Sequence, residues 1–127
     1  MAKMNAAKVS EFNGLQGIFE FIRLIAKSVD SKRLGEHLRW LGTEADDPKV
    51  RKKVASYFAE TRSIFRRLVE EAVANHEMKV MDPEDLAMTL EALLQGSIFQ
   101  FGFLNEKNIE RHLLNRFRSV LQPFTTN

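Results

Sequence analysis

Cysteine is absent from the 127-residue chain, which excludes a disulfide framework and any chemistry that needs a thiolate. Proline and glycine are scarce, with three and six residues, and no run of alternating apolar and polar residues predicts a β-sheet. The longest stretch without a charged residue, 92–105, has 14 residues, whereas a membrane-spanning helix needs about 20. The first residues lack the apolar run of a signal peptide. We therefore expect an all-α, cytoplasmic protein that does not enter a membrane.

The charge balance and size predict a single globular domain over residues 1–127. Nineteen basic and seventeen acidic side chains give a net charge of +2, which is too small an excess to indicate a nucleic-acid-binding surface. The basic residues of 49–71 alternate with acidic ones, as on a solvated helix face. Apolar residues make up 44% of the chain, enough to form a buried core.

Apolar residues at helical spacing, together with capping residues, predict five helices. Asp-Pro pairs at 47–48 and 82–83 are start signals, because aspartate caps a helix and proline suits its first turn. Either Asn105 or Asn108 is expected to cap the last helix. The predicted helices span 11–29, 32–41, 48–76, 83–104 and 108–122.

The chain shows no pattern typical of a catalytic or metal site. Its histidines, His37, His76 and His112, lie on different predicted helices and lack the spacing of metal ligands. The acidic pairs lie where helix starts favour negative charge, and no serine has a recognisable base and orienting acid. We therefore expect no enzyme activity, no cofactor and no metal.

The predicted helix 83–104 is apolar along two separate lines. One line is Leu86, Leu90, Leu93, Ser97 and Phe101, and the other is Met88, Ala92, Gln95, Phe99 and Phe103. One line can pack on the chain's own core, whereas the other needs a second partner, because exposed phenylalanines form an aggregation-prone patch. The sequence leaves open which line faces outward. The alternative is a helix buried at the centre of a single five-helix bundle.

Pairing of the last two helices with those of a second copy accounts for the additional apolar line. Two helices from each of two chains form a four-helix bundle across a twofold axis. A glycine in mid-helix costs about 1 kcal/mol relative to alanine, a cost that is tolerable where a neighbouring backbone approaches closely. The residues expected at this homodimer interface are Gly96, Phe99, Phe103, Leu114 and Phe117.

The order of helices and small residues resembles a known family. A short helix precedes the "DP" that opens a long helix, which ends in the turn "ANHEMKVMDP". An alanine- and leucine-rich helix with a late glycine follows, "LAMTLEALLQGSIF", and then a closing amphipathic helix. From about Phe12 to Phe124 the chain resembles the C-terminal regulatory domain of TetR-type transcriptional repressors. Gln95 departs from this pattern, because the family usually has an acid before the late glycine.

The resemblance implies that the last two helices pair across a dimer and that the earlier helices enclose a ligand cavity. It also implies that DNA is contacted only through a helix-turn-helix domain, which this chain does not contain. We expect a lipophilic small-molecule effector, with Arg62 able to face an acidic head group. The alternative is a helical protein-interaction module with no small-molecule site. The expected ligand-binding residues are apolar Phe19, Ile22, Trp40, Phe58, Phe65 and Leu94, with polar Tyr57, Thr61 and Arg62.

Overall fold

The described part of the chain is helical, which confirms the all-α fold class. The structure is a computed structural model, and it describes residues 6–29, 46–104 and 107–126. These residues contain no β-strand, only an isolated bridge between Met78 and Thr125. The predicted helix 32–41 lies outside the described residues. The helices are α1 (Ala6–Ser10), α2 (Gly14–Ser28), α3 (Pro48–Ala74), α4 (Pro83–Phe101) and α5 (Ile109–Leu121), followed by a 3-10 helix (Gln122–Phe124).

Side-chain caps fix the starts of the three later helices. Asp47 and Asp82 each accept a hydrogen bond from the backbone amide two residues further on, at 2.9 and 3.0 Å. Asn108 accepts one from the amide of Arg111 at 3.1 Å. Each cap satisfies a donor that the first turn of a helix otherwise leaves without a partner. Both predicted Asp-Pro starts are confirmed, and Asn108 is the cap of α5.

Four of the described helices pack around one core. Helix α3 lies along α4 and α2, while α5 packs against both α2 and α4. Phe65 of α3 lies at the centre, with its ring 5.2 Å from that of Phe21 in an edge contact and 5.7 Å from that of Phe117 in a stack. All three side chains are fully buried. No helix within the described ranges is both long and apolar enough to cross a membrane.

The predicted first helix, 11–29, is observed as α2 over Gly14–Ser28, and a separate short helix, α1, precedes it. Gly14 opens α2 with φ +62°, in the left-handed region that favours glycine. The Arg67 guanidinium donates to the carbonyl oxygens of Val9 and Phe12, both at 3.0 Å. Glu71, one turn further along α3, accepts a hydrogen bond from the Gly14 amide at 3.2 Å. The break between α1 and α2 is therefore held by side chains of α3.

The loop between α3 and α4 is tied to the last residues of the chain. The Lys79 amide donates to the Phe124 carbonyl at 2.7 Å, and the Thr126 amide donates to the Glu77 carbonyl at 3.0 Å. These bonds satisfy backbone groups of a loop and a terminus that have no helical partners. They hold the connection into α4 in place.

Candidate ligand site and dimer surface

Helix α4 presents one of its apolar lines to the core. Leu86, Leu90, Ser97 and Phe101 are buried, and Leu93 is half-buried. This face packs on α3 and α5. The line that begins at Leu86 is therefore the core face, which the sequence left open.

The opposite face of α4 remains apolar and exposed. Met88 and Phe99 are each 51% exposed, and Phe103, just beyond the helix end, is 73% exposed. The rings of Phe99 and Phe103 lie 5.3 Å apart. A Cβ atom added at Gly96 meets no described atom within 4 Å, so the packing of the described chain does not require a glycine there. We call the surface formed by Met88, Ala92, Gly96, Phe99 and Phe103 the outer stripe.

Two of the residues expected at the dimer interface lie instead in the core of the single chain. Phe117 is fully buried against Phe65, and Leu114 is only 8% exposed. Helix α5 turns its apolar stripe towards α2 and α4, so these two side chains have almost no accessible surface to offer a second copy. Gly96, Phe99 and Phe103 do have such surface.

Polar side chains face one another where the first half of α3 passes the second half of α4. Tyr57 and Thr61 are four residues apart on α3, as are Glu91 and Gln95 on α4, so each pair shares one helix face. The two helices pack together, and Gln95 lies close enough to affect both Tyr57 and Glu91. We call Tyr57, Thr61, Arg62, Glu91 and Gln95 the polar cluster.

Three buried polar atoms of this cluster have no hydrogen-bond partner among the described residues. They are Oγ1 of Thr61, Oε2 of Glu91 and Nε2 of Gln95. Thr61 as a whole has no exposed surface. Most buried polar atoms in folded proteins are hydrogen-bonded, and an exception calls for a bound water, an ion or a functional role. Here three such atoms without a partner lie on the sides of α3 and α4 that face each other.

Burial dominates the electrostatics of Tyr57. It raises the pKa of the Tyr57 hydroxyl, and nearby Gln95 and Thr61 lower that pKa in turn. In the described structure neither Thr61 Oγ1 nor Gln95 Nε2 forms a hydrogen bond of normal geometry. The negative charges of Glu91 and Glu60 add a smaller upward effect on the pKa. The site therefore keeps this phenol protonated, able both to donate and to accept a hydrogen bond.

Burial likewise raises the pKa of the Glu91 carboxyl group. The contact with Gln95 and the positive charge of Arg62 act in the opposite direction. Arg62 is thus near enough to oppose the Glu91 charge. When the Glu91 carboxyl group is ionised, the two charges offset each other.

The other residues expected to contact a ligand are divided between the core and its boundary. Ile22, Phe65 and Leu94 are fully buried, and the position of Phe65 between two other rings accounts for it as core. Phe19 and Phe58 are half-buried. Trp40 lies outside the described residues.

The polar residues predicted on α3 do lie together, whereas Glu91 and Gln95 were not predicted as ligand contacts. The available signal was their spacing of four residues within a helix that is otherwise apolar. Sequence spacing alone does not reveal which turn of α3 they meet. The packing of α3 against α4, with Gln95 beside Tyr57 and Glu84 paired with Arg66, supplies that information.

A shallow depression adjoins the cluster along the first half of α3. It has a volume of about 550 Å³. Tyr57 belongs to both the depression and the polar cluster. Within the described ranges, no group of three or more His, Asp or Glu side chains forms a metal site. The described residues that line the depression are Lys49, Lys52, Lys53, Ser56, Tyr57 and Glu60.

A comparison with protein families assigns the chain to one of them. Residues 41–117 match the family model for the tetracyclin repressor-like C-terminal domain, and this match covers more than half of the chain. The matched region contains α3, α4 and most of α5, and hence the whole polar cluster and outer stripe. No curated protein and no solved structure matches the chain. The chain belongs to the tetracyclin repressor-like C-terminal domain family, the regulatory domain of TetR-type transcriptional regulators.

Proposed function

We propose that this chain senses a lipophilic small molecule at the polar cluster and forms a homodimer through the outer stripe. Membership of the family supports an effector-binding and dimerisation role in general. The observation that carries the proposal is the set of three buried polar atoms without described partners on α3 and α4. A buried polar atom left without a partner costs about 1 to 3 kcal/mol. A ligand with a polar end removes that cost by supplying the missing hydrogen bonds.

Apolar side chains beside the cluster favour a ligand that is mostly hydrophobic. Phe58 follows Tyr57 directly, and their rings lie 5.9 Å apart. Leu94, next to Gln95, is fully buried. Small-molecule sites typically combine an apolar wall with a few polar groups that fix orientation. The cluster supplies the polar groups and its neighbours the wall.

The outer stripe supports the homodimer part of the proposal. Two half-exposed side chains, Met88 and Phe99, and the more exposed Phe103 lie along one side of α4. A twofold axis along this side pairs the same surface on both chains. Gly96 allows the two backbones to approach closely. A stable dimer of this type buries at least about 1,000 Å² in total.

The mechanism follows from the contribution of α4 to both surfaces. Gln95 of the polar cluster and Phe99 of the outer stripe are four residues apart, so they are neighbours on the surface of this helix. A ligand that binds better to one position of α4 shifts the population of dimer geometries towards it. In a full-length regulator this changes the spacing of two DNA-reading domains.

The proposal is tested with the neutral apolar dye N-phenyl-1-naphthylamine, which fluoresces in apolar surroundings. We expect saturable binding of one dye per chain, weakened in Phe58→Ala. Phe65→Ala is a poorer probe because it removes the central core ring.

The control is Phe99→Glu, because the exposed stripe can itself bind a dye. Binding that stays saturable in Phe99→Glu, although weakened by loss of the dimer coupled to the site, and that falls further in Phe58→Ala supports the proposal. Binding that disappears in Phe99→Glu and is unchanged in Phe58→Ala favours a protein-interaction module with no small-molecule site.

A further inference from the structure

The chemistry of the polar cluster restricts the head group of the ligand. This inference rests on the proposed function, which places a lipophilic effector at the cluster. The cluster contains Glu91 and Arg62, and the positive charge of Arg62 opposes the rise that burial causes in the pKa of the Glu91 carboxyl group. When that carboxyl group is ionised, the two charges offset each other. A charged head group therefore finds no uncompensated opposite charge among the residues of the cluster.

The unpartnered atoms of the cluster require both kinds of hydrogen bond. Gln95 Nε2 is only a donor, and Glu91 Oε2 accepts when the carboxyl group is ionised. Thr61 Oγ1 can act in either sense, and so can the Tyr57 hydroxyl. A head group that only accepts leaves Glu91 without a partner, and one that only donates leaves Gln95 without one.

Charged head groups are unfavourable for separate reasons. A carboxylate in the cluster lies against the Glu91 carboxylate, and two such groups in partly buried surroundings cannot both remain ionised without cost. An ammonium group lies against Arg62, and it offers no acceptor to Gln95 Nε2. Four further charges, those of Lys49, Lys52, Lys53 and Glu60, line the adjoining depression on exposed side chains, where solvent screening weakens their effect on the cluster.

We propose that the site takes a lipophilic ligand with a neutral head group that both donates and accepts hydrogen bonds, such as a hydroxyl or a primary amide. The head group donates to Glu91 Oε2 and accepts from Gln95 Nε2. Thr61 Oγ1 supplies a third hydrogen bond. The apolar part of the ligand extends along the side chains beside Phe58 and Leu94. Arg62 acts through Glu91, because its positive charge opposes the rise that burial causes in the pKa of that carboxyl group.

Four probes with the same alkyl chain test this directly: 1-octanol, octanamide, octanoate and octylamine. Each compound is titrated at neutral pH against the full chain with N-phenyl-1-naphthylamine bound. The displacement of the dye gives the dissociation constant of the compound. We expect 1-octanol and octanamide to bind about tenfold more tightly than octanoate and octylamine, the effect of one buried hydrogen bond left unmade. Octanoate or octylamine binding most tightly would overturn the inference and leave the lipophilic site in place.

Two variants connect the preference to the cluster. In Glu91→Gln, the ratio of octanoate to octanol dissociation constants should fall about tenfold, because the repelling carboxylate is gone. Thr61→Val should weaken 1-octanol several-fold through loss of one hydrogen bond. Asp85→Asn is the matched control, an exposed carboxylate on the same helix, and should leave the ratio unchanged. An unchanged ratio in Glu91→Gln would place the head group elsewhere and overturn the inference.

Failure of the proposed function gives a different result from failure of this inference. If neither the dye nor any octyl compound binds up to its solubility limit, the chain has no lipophilic site, and both fail. If the dye binds within the chain and octanoate or octylamine binds more tightly than the neutral probes, only the inference on the head group fails.

Discussion

At the residue scale, the cluster combines buried polar atoms with little internal hydrogen bonding. Thr61 has no exposed surface, and its hydroxyl has no partner among the described residues. Such an arrangement lowers stability, because the hydroxyl loses its bonds to water without replacement. Binding sites commonly retain groups of this kind at the expense of stability. The cost is measurable in the chain without ligand.

Thr61→Val should therefore raise the free energy of unfolding by about 1 kcal/mol. The valine keeps the shape of the side chain and removes the buried hydroxyl. Thr89→Val is the matched control on α4, where the side chain is exposed and its hydroxyl donates to the Asp85 carbonyl at 3.1 Å. It should change stability by less than about 0.5 kcal/mol. Urea denaturation measures both, and a destabilised Thr61→Val would show that the hydroxyl is bonded in the folded chain.

Glu91→Gln should stabilise the chain at neutral pH and have no such effect in acid. Burial raises the pKa of Glu91 above its ordinary 4.5, so the folded state holds this proton more tightly than the unfolded state. Between the two pKa values the unfolded chain has already lost the proton, and stability falls as pH rises. The increase in stability that Glu91→Gln gives is therefore present at pH 7 and disappears below the ordinary pKa of a glutamate side chain. A gain of equal size at pH 7 and at about pH 4 would contradict the assignment.

Sequence patterns singled out three of the five residues of this cluster. Tyr57, Thr61 and Arg62 stood out as polar residues at the edge of the apolar stripe of α3. Glu91 and Gln95 did not, because their role depends on which turn of α4 faces which turn of α3. That register follows from tertiary packing, which residue spacing within one helix does not specify.

At the level of secondary-structure elements, two neighbouring arginines of α3 form different kinds of interaction. Arg67 bonds to two backbone carbonyls of the segment before α2 and to Glu71. Arg66 pairs with two exposed carboxylates, those of Glu70 and Glu84. Exposed ion pairs contribute little, whereas a charged donor bonded to otherwise unsatisfied carbonyls contributes more. A comparison of variants at these two arginines therefore separates the contribution to stability of attaching α1 from the contribution of exposed ion pairs.

We expect Arg67→Met to lower the free energy of unfolding by about 1 to 2 kcal/mol. Arg66→Met, its neighbour, should have little effect, because the ion pairs of Arg66 are exposed to solvent. Hydrogen exchange should also accelerate at the amides of 9–14 in Arg67→Met alone. Equal losses in both variants, without faster exchange at 9–14, would show that Arg67 does not hold α1.

The exposed outer stripe of α4 leads to a prediction about the oligomeric state of the chain. Phe99→Glu should convert a dimer into a folded monomer, because a carboxylate buried at the interface is costly. Val80→Glu is the matched control, since Val80 is apolar and 90% exposed but lies off the stripe. Sedimentation at tens of micromolar should show dimers for the unmodified chain and for Val80→Glu. A monomeric unmodified chain would rule out the dimer.

Helix starts were predictable from the sequence, and the break near the N-terminus was not. The Asp-Pro starts depend on local capping, so the residues alone indicate them. The break at 11–13 depends on Arg67 and Glu71, more than fifty positions away. Likewise α5 carries an apolar stripe, but only the packing shows that Leu114 and Phe117 belong to the core.

At the scale of the whole molecule, α4 joins the two proposed activities. Its core face packs on α3 and α5, Glu91 and Gln95 contribute to the polar cluster, and Phe99 lies on the outer stripe. Movement of one rigid helix therefore affects both the ligand site and the dimer. Coupling of this kind is reciprocal, so the ligand and the second chain affect each other's binding equally.

A crystal structure of the full chain grown with 1-octanol would show the polar cluster and the outer stripe of α4 together. We predict a twofold dimer in which Phe99 and Phe103 are buried between chains. We also predict the octanol hydroxyl within hydrogen-bond distance of Glu91 Oε2 and Gln95 Nε2. A structure in which both rings face solvent and octanol lies away from Thr61, Glu91 and Gln95 would contradict both predictions.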